Sequence, residues 1–257
     1  MGQQFSYETG APSDPAEPRA TRAELHLRAK SVIYGLFCVI ALLAAAYLVT
    51  QYLRVRWGYE YQWGLMPAFD LNGEGNLPVW YQSLIMLLSA GLLAAIGRAQ
   101  QQASEPFARH WIVLALIFLC LSLDETAQIH EIADVILRVN FGTLHPYLYF
   151  GWVLLAVPAA VLLFLWSARF LRYLPRRTAV LFVLAGALYV VGAAGLEMVE
   201  GRHVTLYGYR EKWGFAVWVA IEETLEMIGV AVFFYALLDY VARRLRELNL
   251  GLRIRTD

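Results

Sequence analysis

Ten side chains able to bind protons or metal ions fall inside or just beyond three otherwise apolar stretches. They are Asp124, Glu125, His130 and Glu131 in LDETAQIHE, Glu197, Glu200 and His203 in GLEMVEGRH, and Glu222, Glu223 and Glu226 in IEETLEMIG. Carboxylates with a few imidazoles are a hard donor set suited to iron, manganese or zinc, and the absence of paired Cys or Met argues against copper(I). Glu200 and His203 make an E-x-x-H pattern, the unit from which di-iron and di-manganese centres are built in helical bundles. The same groups also suit a proton relay or an ion pathway.

Helical spacing tests whether each group shares a face, at about 100° per residue. Glu222, Glu223 and Glu226 fall within an arc of about 100°, and Glu197 and Glu200 lie about 60° apart. On one continuous helix Asp124, Gln128 and Glu131 form a stripe with Glu125 at its edge, while His130 points about 120° away from Asp124. Gly201 is positioned to end the fifth helix before His203.

The elements that position these residues are membrane spans. The chain is 59% hydrophobic and 16% charged, against about 45–50% and about 25% in soluble domains. Runs near the roughly 20 apolar residues a bilayer requires occur at 31–53, 77–96, 111–137, 147–171, 178–200 and 213–241. The expected fold class is all-α, a polytopic bundle of six transmembrane helices over 31–241, with a polar tail at 1–30 and a basic tail at 242–257. Buried acids then face the bundle interior, because an ionised group at mid-bilayer costs about 2.5–3.5 kcal/mol and three of them on the sixth span on the order of 8–10 kcal/mol. Glu226 lies farthest into that span.

Arg98, Arg109, Arg169, Arg172, Arg176 and Arg177 crowd alternate loops and the tails are also basic. Retention of basic loops on the cytoplasmic side places both termini there, with the loop at 54–77 outside. Trp57, Trp63, Trp80, Trp152 and Trp213 are expected at the outer interface and Trp111 at the inner one. Cys38 and Cys120 read as small core residues, and the leading 30 residues read as a tail and not a signal peptide. Within 54–77, DLNGEGN sets Asp70, Asn72, Glu74 and Gly75 at the spacing of half a calcium loop. Tyr81 stands where its bidentate Glu belongs, so a turn returning the chain to the bilayer is expected instead.

The motifs LDE-x4-HE at 123–131, GLEM at 195–198, EE-x2-EM at 222–227 and NGE-x-N-x-P at 72–78 resemble those of a broad group of uncharacterised bacterial multi-pass membrane proteins. The resemblance implies a multi-pass protein of a bacterial inner membrane and supplies no activity. Three functions suit the residues: a metal centre of iron, manganese or zinc, working if redox-active on quinone, lipid or oxygen; a proton- or cation-coupled transporter or channel; and an accessory subunit bound to another membrane protein. The lipid bilayer is the one certain partner. Equal numbers of basic and acidic residues, 21 each, and the lack of a basic motif argue against nucleic acid. Neither a G-x-S-x-G elbow, a P-loop nor H-E-x-x-H occurs, which argues against a hydrolase or ATPase of those kinds.

Overall fold

The computed structural model describes residues 28–58, 64–142, 145–208 and 212–245, and every regular element within them is helical. Six helices are long and apolar enough to cross a membrane. They are α1 (Ala29–Trp57), α3 (Leu77–Gln102), α4 (Ala108–Ala127), α6 (Val153–Tyr173), the composite Arg176–Tyr207 and the last helix running to Leu245. The composite consists of α7 (Arg176–Val190), a π-helical segment Val191–Leu196 and α8 (Glu197–Tyr207). The last helix is α9 (Lys212–Tyr240), whose final turn Val241–Leu245 is π-helical. Two shorter helices, α2 (Leu65–Phe69) and α5 (Ile129–Phe141), lie between spans.

The core forms around α9, the most buried span, which packs against α1, α3, α7 and the π segment. Tyr47, Met86 and Met227 anchor one half of the core, and Leu93, Trp111, Phe170 and Leu237 the other. α6 is the least buried span and touches few neighbours. That looseness leaves a cavity beside it.

The loop before α3 is a capped turn. The Asn76 side chain accepts from the Val79 N–H at 3.2 Å and donates to the carbonyls of Asp70 at 2.6 Å and Gly73 at 2.7 Å. Pro78 in the first turn leaves no N–H orphaned. Asp70 accepts from the Asn72 N–H and from Gln51, so its oxygens serve the turn.

Several expectations are corrected. The third span does not run to 137: Gln128 adopts the left-handed conformation at φ 56°, ending α4 with its N–H on the Asp124 carbonyl at 2.7 Å. α5 then runs as a separate amphipathic helix. Its Ile132, Val135, Ile136 and Val139 are exposed, and Asp134 is buried against Arg138 and the Gly151 N–H. This pattern belongs to a helix lying in the membrane interface. The fifth helix does not stop at Gly201, which instead lets Tyr149 approach: a Cβ there would meet the Tyr149 Cβ at 2.9 Å. Trp111 is no interfacial anchor but a core residue packed on Phe170, Phe182 and Tyr240. Cys38 and Cys120 are free and exposed on the bundle's outer surface. Trp57, Trp80 and Trp213 are exposed, whereas Trp63 and the tail at 1–27 lie outside the described residues.

Candidate carboxylate centre

Four spans build the centre, and each contributes for a local reason. On α9, Glu222 and Glu226 are buried one turn apart, with Glu223 beside them. On α3, Gln82 is 2% exposed and its amide bridges two helices, donating to Glu125 Oε2 of α4 at 3.3 Å and to Glu226 Oε2 at 3.1 Å. On α8, Glu200 is 4% exposed, and both Glu197 and Glu200 come within electrostatic range of Glu222. From α1, the buried Tyr47 comes within electrostatic range of Glu200 and Glu223.

The π segment makes this approach possible. Its sequence VGAAGL is all small except at the ends, and small residues allow spans to come close. A Cβ at Gly192 would stand 2.8 Å from Glu226 Cγ, 3.1 Å from the Glu222 carbonyl and 3.3 Å from the Glu226 nitrogen. The wider π turn also changes the rotation of everything that follows it. It sets the faces on which Glu197 and Glu200 meet α9.

The bend at Gln128 overturns the expected separation of His130 from Asp124. Starting a new helix brings His130 back, its backbone N–H on Asp124 Oδ1 at 2.8 Å and its Nδ1 3.1 Å from Oδ2. Burial lowers the basicity of His130, but the hydrogen bond and charge of Asp124 outweigh it and leave the imidazole pKa above its ordinary value. Glu131 stands exposed at the outer rim beside Glu74. Burial raises the Glu74 pKa despite a hydrogen bond from Gln128. His203 follows Glu200 by one turn on α8 and packs by its ring on Tyr207 at 5.1 Å and Phe215 at 6.4 Å.

Among the described residues, the ion pairs join Asp124 to His130, Asp134 to Arg138, and Asp239 to Arg177 and Arg243. None involves the six glutamates 125, 197, 200, 222, 223 and 226. Arg202 is spent on the face of Tyr147, and Arg210 lies outside the described residues. Two buried oxygens, Glu200 Oε1 and Gln82 Oε1, have no hydrogen-bond partner. No group of three or more His, Cys, Asp or Glu side chains among the described residues is arranged to hold a metal ion. Gln82 was not foreseen from sequence. A lone amide one turn into an otherwise apolar span was its signal.

Fold and centre together define a six-span integral membrane protein with a buried carboxylate cluster at the meeting of α3, α4, α8 and α9. The chain belongs to the family described as Domain of unknown function (DUF8692), whose model matches residues 35–241. The match contains the whole cluster. No curated protein and no solved structure matches the chain.

Proposed function

We propose that the cluster is a membrane-embedded metal centre for a hard cation, iron or manganese before zinc, with Glu125, Glu197, Glu200, Glu222, Glu223 and Glu226 as the carboxylate supply. The observation that carries this reading is six converging glutamates without a basic partner among the described residues, together with the unpartnered oxygens Glu200 Oε1 and Gln82 Oε1. Carboxyls in a low-dielectric interior need protons or cations for neutrality. A bound cation would take the place of those protons, with the glutamates of three spans supplying its oxygen ligands. Asp124, His130, Glu131 and His203 then lie around the centre as outer supports or additional ligands, with Asp124 orienting His130 as carboxylates orient metal-bound imidazoles.

A second reading, a proton relay, is favoured by the closeness of Glu197 and Glu200 to Glu222. Below Glu226, however, Met86, Leu93 and Leu237 are fully buried apolar residues, and the buried Ser89 among them turns its hydroxyl back onto the Ile85 carbonyl at 2.8 Å, so the relay meets little polar continuation on that side. Elemental analysis of purified protein separates the two. The metal reading expects near-stoichiometric transition metal, and Glu226→Gln should lower it while the bundle stays folded. Metal-free protein that is unaltered by Glu226→Gln would refute it. The basic tail and loops support an orientation with both termini in the cytoplasm of a bacterial cell.

A further inference from the structure

α6 is the span that the rest of the bundle holds least, and it packs loosely along the apolar cavity that it borders with α4 and α7. Rings from the start of α4 meet it in its last two turns. His110 stacks on Trp166 at 4.3 Å and on Phe170 at 5.3 Å, Trp111 meets Phe170 edge-on at 5.1 Å, and Phe107 lies 5.0 Å from Tyr173. The Tyr173 hydroxyl donates to Glu105 at 2.6 Å.

These rings define a seam with a core side and a bilayer side. At about 100° per residue, Arg109 and the buried Trp111 lie to opposite sides of His110 on α4. On α6 the buried Ser167 lies about 100° to one side of Trp166, and Arg169 about 60° to the other. Trp111 and Ser167 mark the core side, so Arg109 and Arg169 share the bilayer side of the same seam. Arg172 follows Arg169 by three residues, on the same face. All three arginines are exposed. Arg172 donates from Nε to the Ala168 carbonyl at 3.1 Å, and among the described residues none of the three has a carboxylate partner.

The nearby carboxylates are already engaged. Asp239 pairs with Arg177 and Arg243, and Glu105 accepts from Tyr173. The missing partner is therefore an anion from outside the chain, and at a membrane surface the anion in supply is the phospholipid phosphate. Guanidinium forks match phosphate oxygens in pairs. A zwitterionic headgroup adds an ammonium for which the seam has no unengaged carboxylate, so an anionic headgroup fits better.

We propose that the bilayer side of the α4–α6 seam binds the phosphate of an anionic phospholipid between Arg109 and Arg169, with Arg172 beside them, and that this lipid fastens α6 to the bundle. The aromatic stack of His110 and Trp166 forms the floor of the site. A metal in the carboxylate centre plays no part in it.

The test compares full-length protein in phosphatidylcholine nanodiscs with and without phosphatidylglycerol, by thermal melting and by native mass spectrometry of the lipid retained. The wild type should retain phosphatidylglycerol and melt higher in its presence. Arg109→Gln and Arg169→Gln should each weaken retention about fivefold and remove most of the melting shift, while melting in pure phosphatidylcholine stays that of the wild type. Arg98→Gln, which removes the same charge from the same end of the bundle on α3, should change neither. Equal weakening by Arg98→Gln would reveal a diffuse charge effect and overturn the site. So would an equal melting shift from phosphatidylethanolamine, or from inorganic phosphate added to phosphatidylcholine discs. Retention of phosphatidylglycerol without any change in melting would overturn the fastening of α6.

Discussion

Gly192 gives the sharpest test of how the centre is held. A methyl at this position would lie 2.8 Å from Glu226 Cγ and 3.1 Å from the Glu222 carbonyl. The side-chain contact can relax by rotation of Glu226, but the backbone carbonyl cannot, so Gly192→Ala must push the fifth and sixth spans apart by a few tenths of an ångström. Overpacking of this kind costs about 1–3 kcal/mol. The alanine's better helix propensity, worth about 1 kcal/mol, offsets part of it. The displaced atoms belong to Glu226 and the Glu222 backbone, so the loss should fall on the centre before the bundle. On the metal reading proposed above, mispositioning a group at the site weakens metal binding by about 10–100-fold. Gly91→Ala is the control, since a Cβ there meets nothing within 4 Å. Metal titration and thermal melting in detergent read both effects. Gly192→Ala with wild-type metal affinity and melting would show that the π segment does not set the position of Glu226.

Two further outcomes follow from the rim and the topology. The His130 pKa lies above its ordinary value of 6.5 through Asp124, despite burial, so the stabilisation from this pair is complete below about pH 6.5 and is lost as pH rises through the higher folded value. Unfolding measured from pH 5.5 to 8.5, limits set by the ordinary histidine range, should show that loss in the wild type and a flatter profile in His130→Gln; identical profiles would refute the coupling. For orientation, a membrane-impermeant thiol reagent on intact cells should label Asn72→Cys and spare Ala103→Cys in a background lacking Cys38 and Cys120. The reversed pattern would place both termini outside.

Length and apolarity made the six spans legible in the sequence, because a bilayer demands both from every crossing helix. The inward orientation of the acids was also legible, since the cost of exposing Glu222 and Glu226 to lipid leaves no other face for them. Breaks in helical regularity were not. The reversal at Gln128 depends on one residue taking a positive φ, and no Gly or Pro marks it, so a continuous-helix projection put His130 on the wrong side of Asp124. Gly201 misled in the opposite direction. It looks like a helix end and is a contact point for Tyr149, because in a membrane a glycine within a span more often allows close packing than termination. Burial of Trp111 and exposure of the two cysteines depend on which face meets a neighbour, and moderate amphipathicity in a span surrounded by lipid gives little indication of that.

The same contrast explains why the centre sits where it does. Acids on one helix could be accommodated by protonation alone, with no need for register among spans. Here the register is built at backbone level: Gly192 admits Glu226, and a Cβ at Gly229 would strike the Ala185 carbonyl and the Tyr189 nitrogen, each at 2.9 Å. Two close contacts of α9 with the fifth span, about one to two turns apart on α9, hold those helices at a separation that ordinary side chains would not permit. Glu226 takes part in the first and Tyr189 in the second, and these residues belong respectively to the carboxylate centre and to the cavity wall. Close packing is therefore concentrated where polar centre and apolar cavity meet, while α6 on the far side of the cavity stays loosely held.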